Sequence, residues 1–404
     1  MIGIAAMFGL ALLHLIPLPP AIWHVLPGRQ EIVLVDQLAG LKDVWRPLTL
    51  TPMNGAHALM SLFVPLAILL FGIQLSREDL YRLLPLLIGL AALSGLFGLL
   101  QAVGGGQGPF YFYRITNNGS AVGLFANRNH AATLLGCMFP MLAVFASSTR
   151  GRADEQYSRQ LIAASIAIVL VPLILVTGSR SGLLMTAMGG VGAVLLYRRP
   201  AANMATKRGK SKFPIGRMQL LGGLVILCLG FLTIFFSRAE AISRLFSQGA
   251  AEEGRGEIWA AATEMFWKYF PMGSGSGSFV EAFQIIEPRG MLNSTYLNRA
   301  HNDLLEVAVT FGLPGLALLL VVVVYYLRRT HVLWRKMDAG RPSVLLARMA
   351  GIIMAMIFVA SIFDYPLRTP NMMAVFAIMA LWFARAGSQD APDSQAHPKE
   401  TVYG

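Results

Sequence analysis

Four short polar segments hold the side chains of this sequence that can do chemistry. GLFANRNHAA (123–132) sets Arg128 among Asn127, Asn129 and His130. TGSRSG (177–182) holds Arg180 in a tight loop between two apolar runs. RGEIWAAATEMFWKYFPMGSGSGSF (255–279) opens on Arg255 and closes in a glycine–serine run that includes Gly275 and Gly277. HNDLLEVAVTFGLPG (301–315) opens on His301 and Asn302. A guanidinium grips an anion bidentately, and a histidine titrates near neutral pH and can act as a base. Together, Arg128, Arg180, Arg255 and His301 describe a cationic pocket for an anion with one titratable base. Each also has a plainer reading. Asn127 and Asn302 are good helix N-caps, Arg180 can snorkel to lipid phosphates, and His301 can be an ordinary interfacial histidine. GSGSGS can offer N–H groups to phosphate or serve as a flexible linker. It fits neither a Walker A loop nor a dinucleotide fingerprint. No second histidine or acid pair beside His301 makes a zinc site.

The elements that must position these groups follow from composition. Of 404 residues, 55% are apolar and only 13% are charged, where a soluble domain carries roughly 25% charge. That excludes a soluble globule, and the hydrophobicity excludes disorder. Ten apolar runs are long enough, or nearly so, to span a bilayer as helices: 1–16, 58–75, 83–103, 130–148, 160–176, 182–197, 218–236, 304–327, 349–363 and 371–384. The expected fold is therefore all-α, a polytopic transmembrane helix bundle of about ten spans over residues 1–386. Cys137 and Cys228 lie inside such runs and read as small buried hydrophobes. Residues 387–404 are polar and expected to be a disordered tail.

Charge then sorts the loops. The net charge is +12. Loops 76–82, 149–159, 198–217 and 328–348, with the tail, hold 20 of the 33 Lys and Arg but 8 of the 21 acids. The other face holds 13 of each and is neutral. The positive-inside rule makes the first face cytoplasmic, with both termini there. The excess is thus topological, and nucleic acid is not an expected partner. The opposite face carries loops 17–57, 104–129 and 237–301 and all four polar segments. Within the longest loop, Ile258, Ala262, Met265, Phe266 and Tyr269 recur at helical spacing, which predicts an amphipathic helix over 255–270. Asn302 or Asp303 can cap the next span, with Glu306 three after Asp303 in capping-box fashion. Gly312, Pro314 and Gly315 predict a kink about three turns in. Span interiors are nearly free of ionisable groups, His14 being the exception in the first run. A transporter or flippase would place such groups or broken helices at mid-membrane, so an enzyme is the better reading.

The order and spacing of these segments resemble the O-antigen ligase/polymerase family of bacterial integral membrane glycosyltransferases. The resemblance rests on GLFANRNHAA, TGSRSG, the pattern of Arg255, Trp259, Pro271, Gly273, Gly275, Gly277 and Phe279, and HNDLLE followed by GLPG. It covers roughly residues 120–316. The chain departs from the family at Thr310, where many members carry Glu, and in span number, since members commonly carry a further N-terminal pair. The resemblance implies an inner-membrane enzyme whose active site faces the periplasm. It would move a glycan from undecaprenyl diphosphate to an acceptor, with no cofactor and no metal. The acceptor is lipid A–core for a ligase, or a growing glycan for an O-antigen or exopolysaccharide polymerase. Carried over by motif, Arg180 and Arg255 hold the donor diphosphate and Arg128 joins them. His301 is the general base, and Asn127, Asn302, Gly275 and Gly277 support the site.

Overall fold

The computed structural model describes residues 2–41, 43–106, 108–148, 153–198, 250–292, 296–338 and 340–386, with the backbone alone at 77, 153 and 250–255. The predicted span 218–236, Cys228 and the tail lie outside the described residues. Within them the chain is an all-α bundle, and six helices are long and apolar enough to cross a membrane. These are the pair α4 (Pro52–Ser61) and α5 (Phe63–Gly72) taken together, α6 (Arg77–Gly104), α7 (Arg128–Ala146), α8 (Ala153–Thr177), α12 (Asp303–Arg335) and α13 (Pro342–Phe363). Three predicted spans form shorter apolar helices: α1 (Ile2–Leu13), α9 (Arg180–Leu196) and α14 (Pro370–Arg385). α1 ends at Leu13, before the prolines at 17, 19 and 20, and Pro17–Leu18 pairs antiparallel with Arg46–Pro47.

The loop read as 17–57 carries two short helices, α2 (Pro20–Trp23) and α3 (Gln30–Leu38). The long loop folds into α10 (Ala250–Tyr269) and α11 (Phe279–Ile286). The predicted amphipathic face is the one buried: Ala262, Met265 and Tyr269 pack with Phe279, Phe283 and Val309 in a cluster separate from the main core. Trp267, on the other side, is 66% exposed.

The main core is centred on α7, which is apolar on all sides and accordingly buried along most of its length. It packs most closely on α9. There a Cβ placed on Gly189 would fall 2.3 Å from the Gly136 carbonyl oxygen, so small residues set the approach. This packing brings the starts of α7 and α9 level. Helix ends predicted to share a face do meet. At one end of the bundle, residues 127–130, 177–182, 301–303 and 364–368 are in hydrogen-bond contact. At the other, Arg348 donates to the carbonyls of Leu333 and Met337, and Arg385 to those of Gly72 and Leu75.

Candidate active site

Three helix starts frame the site. Asn127 caps α7, its side chain accepting from the Asn129 N–H at 2.8 Å. Ser179 caps α9 by accepting from the Gly182 N–H at 3.0 Å. Asn302 caps α12 by accepting from the Leu305 N–H at 3.0 Å. The capping predictions hold for Asn127 and Asn302. N-termini carry partial positive charge from unsatisfied N–H groups, so this end of the bundle favours an anion.

The centre is a residue that carries no sequence motif. Asp364 follows the last residue of α13, and its side chain is only 3% exposed. Its Oδ1 faces His301 Nδ1 at 3.2 Å. Its Oδ2 accepts from the side-chain amides of Asn127 at 3.0 Å and Asn129 at 2.7 Å. His130 Nε2 lies 3.8 Å from the same oxygen. The Ser179 hydroxyl donates to Asn129 Oδ1 at 2.8 Å, which ties the TGSRSG loop to the cluster. Tyr365 meets both imidazoles edge to face, each at 5.1 Å between centroids. Burial alone would raise the Asp364 carboxyl. The hydrogen bond with His301, the nearby His130 and the Asn129 amide outweigh it and hold the pKa down to about 2.

His301 is 28% exposed at its side chain. Its backbone is left-handed at φ 49°, the one non-glycine residue with positive φ among the described residues. Such a conformation costs about 1–3 kcal/mol and persists only where the surroundings hold it. The hold is visible: the Ala300 N–H donates to Glu306 Oε2 at 3.2 Å, and its carbonyl accepts from Trp259 Nε1 at 3.1 Å. With the Nδ1 proton donated to Asp364, Nε2 carries the lone pair, and no partner engages it among the described residues. An imidazole held this way can accept a proton at Nε2.

The predicted arginines stand as follows. Arg180 is exposed at the first residue of α9, next to Ser179. Arg128 is half-buried at the first residue of α7, its N–H given to Asn117 Oδ1 at 3.0 Å. Arg255 lies in α10 one turn before Trp259, and its side chain falls outside the described residues.

Two expectations change. Glu306 does not close a capping box. Its Oε1 is shared by Arg299 at 2.9 Å and Arg368 at 3.3 Å. Arg368 also meets Asp303 Oδ1 at 3.1 Å, and Ser361 donates to Asp303 Oδ2 at 3.1 Å. Burial explains the difference: Asp303, Glu306 and Arg368 are the enclosed charges of this network and must be paired with one another, which takes the Glu306 carboxylate away from the cap. The glycine–serine run, too, is neither linker nor phosphate cradle. The N–H groups of Gly273, Ser274, Gly275 and Ser276 go to Tyr269 O, Val309 O, Thr310 O and His14 Nδ1. A Cβ on Gly275 would sit 2.1 Å from Thr49 Cα, and one on Gly277 2.4 Å from the Asn54 carbonyl. The loop packs into the predicted kink of α12, where Gly312 has φ 55° and ψ −145°. Leu313 N–H donates to Pro271 O at 2.8 Å, so the groups freed by the kink are satisfied there.

Among the described residues, no group of three or more His, Cys, Asp or Glu side chains is arranged to hold a metal ion. Residues 164–320 match the family model described as O-antigen ligase. That stretch contains three of the four polar segments, and the structure joins it to residues 127–130 and 364–368, which lie outside it. No curated protein gives a significant match to the chain.

Proposed function

We propose, from the O-antigen ligase family domain that this chain carries over residues 164–320, that the protein moves a glycan from undecaprenyl diphosphate to lipid A–core. The domain supports a glycosyltransferase of ligase or polymerase type, and the apolar helices make it a multi-pass membrane protein. The observation that carries the finer reading is the His301–Asp364 pair, set at a convergence of helix N-termini.

In the proposed reaction, His301 Nε2 takes the proton of the acceptor hydroxyl. The hydroxyl oxygen bonds to the anomeric carbon of the donor glycan, and the bond from that carbon to the diphosphate oxygen breaks. Undecaprenyl diphosphate leaves, and the anomeric configuration inverts in this single displacement. Arg180 and Arg255, with Arg128, hold the diphosphate and stabilise the charge that develops on it, in a metal-independent step. Asp364 keeps His301 in the tautomer that makes Nε2 the base and stabilises the imidazolium. Support for the lipid donor comes from a cavity of about 340 Å³ between α6, α7 and α14, walled by Leu90, Leu134, Met141 and Ile378. Leu124, which lines it together with Asn371, lies three residues along the chain from Asn127. An apolar cleft of this kind suits a polyprenyl segment. The distribution of basic residues supports a periplasmic site in the inner membrane, with cytoplasmic termini.

Deletion of the gene, followed by analysis of surface glycans, tests the reading. Loss of all long chains from lipid A–core, with polymer still building on the carrier, is the outcome expected of a ligase. Single repeats on the core would make it a polymerase instead, and an unchanged glycan profile would sink both. Complementation with His301→Ala, inserted at the normal level, should fail to restore transfer. Full activity in that variant would remove His301 as the base.

A further inference from the structure

A second cavity, of about 460 Å³, lies at the opposite end of the bundle, where α6, α7, α8 and α13 converge. We propose that it binds an anionic phospholipid of the surrounding bilayer, with the headgroup phosphate on Arg159 and Arg198 and an acyl chain against the apolar wall. The wall is Leu84, Pro85, Val144, Phe145 and Leu345. Its volume falls within the range of about 300–1,000 Å³ usual for small-molecule sites.

The charge is arranged for a phosphate. Three arginines line the cavity, with Glu78 as the one acid among the lining residues. Arg82 is committed to Glu78 at 2.8 Å and Asp79 at 3.4 Å, so Glu78 is neutralised. Arg159 lies 3.8 Å from Glu155, which is half exposed. No acid pairs with Arg198 among the described residues. Two adjacent serines at the end of α7 hold these arginines in place. Ser148 Oγ accepts from Arg159 at 3.4 Å, and Ser147 Oγ accepts the Arg198 N–H at 2.8 Å. α13 begins at Pro342 in the lining, so its N-terminal N–H groups add partial positive charge. A basic pocket between membrane helices, apolar behind and charged at the rim, matches the two halves of an anionic lipid. A free anion would leave the apolar wall unused.

The test is native mass spectrometry of the full chain in detergent. The probes are cardiolipin, zwitterionic phosphatidylethanolamine and inorganic phosphate. Cardiolipin should bind the unmodified protein in preference to phosphatidylethanolamine and resist displacement by phosphate. At about fivefold per arginine, Arg159→Gln with Arg198→Gln should weaken cardiolipin about thirtyfold. The control Arg114→Gln, an exposed arginine at the other end of the chain's helices, should leave binding within about twofold. If the double variant fails to insert, each single variant should show its fivefold share. Unchanged cardiolipin binding in the arginine variants would overturn the proposal. So would equal binding of phosphatidylethanolamine, or displacement by inorganic phosphate at equal concentration, which would make this a small-anion site.

Discussion

Two polar clusters sit near the same end of the bundle, and both contain a histidine, an arginine and a serine-bearing loop. In the first, His14 is buried with its Nδ1 taken by the Ser276 N–H at 3.0 Å. Arg29 is fully buried there between the rings of Trp23 and Tyr269, at 5.7 and 5.4 Å. It donates to Leu48 O at 2.8 Å and Gly273 O at 3.2 Å. Burial pulls its pKa to about 10, where it is still a cation. In the second cluster, His301 is partly exposed, spends one nitrogen on Asp364 and keeps the other. The difference is where the hydrogen bonds end. The arginine's hydrogen bonds end on backbone carbonyls, and its side chain is fully enclosed and out of a substrate's reach, so this cluster is scaffold. The His301 cluster ends on a side chain with unused capacity, in a strained backbone that the fold holds in place.

The sharpest way to break this contrast is Asp364→Asn. The amide preserves shape but can no longer hold the imidazole in the tautomer that frees Nε2. Transfer should fall about 10³-fold, mostly in kcat, with KM little changed. Because Asp364 acts through His301, the double variant with His301→Ala should lose no more than His301→Ala alone. Steady-state kinetics on carrier-linked glycan would check both. Additive losses would mean that Asp364 has a role separate from the histidine.

The scaffold side of the contrast is tested at Gly275. Its φ of 100° and the backbone of Thr49 leave no room for a methyl group. Gly275→Ala should cost about 3–5 kcal/mol of stability, seen as a lower melting temperature in detergent. Turnover per folded molecule should stay within about twofold. A normal melt with lost turnover would return the glycine loop to the substrate site as a phosphate cradle.

What was legible from the residues alone divides along physical lines. The apolar runs gave nine of the ten proposed spans as helices in the described region, because backbone groups in lipid must be satisfied locally. The caps at Asn127 and Asn302, the face of α10 and the kink at Gly312 are local patterns and read correctly. Asp364 did not read, because it lies 63 positions from His301, and the pair exists only once α12 and α13 pack. A signal was nonetheless present. Asp364 and Arg368 are two ionisable residues in a short loop between apolar runs, the same cost that drew attention to Arg180. The glycine run was misread because its partners, Thr49, Asn54 and the α12 kink, are distant in sequence. Glycines that admit a ligand and glycines that admit a neighbouring backbone look the same in one dimension.

The smallest expected effect separates the clusters by pH. The Asp364 carboxyl sits at about 2 in the folded chain, against about 3.9 when unfolded. The folded state therefore favours the ionised form, and the stabilisation is complete above the unfolded value. It declines as pH falls from about 4 toward 2, with about 1 kcal/mol of a total of roughly 2–3 kcal/mol gone by pH 3. Melting temperatures measured from pH 6 to pH 3 should thus fall more steeply in the unmodified protein than in Asp364→Asn. Arg29 stays charged throughout this window, so Arg29→Lys should shift the whole curve without changing its slope there. Equal slopes for the unmodified protein and Asp364→Asn would mean that the carboxylate is not the hub of the network that holds His301.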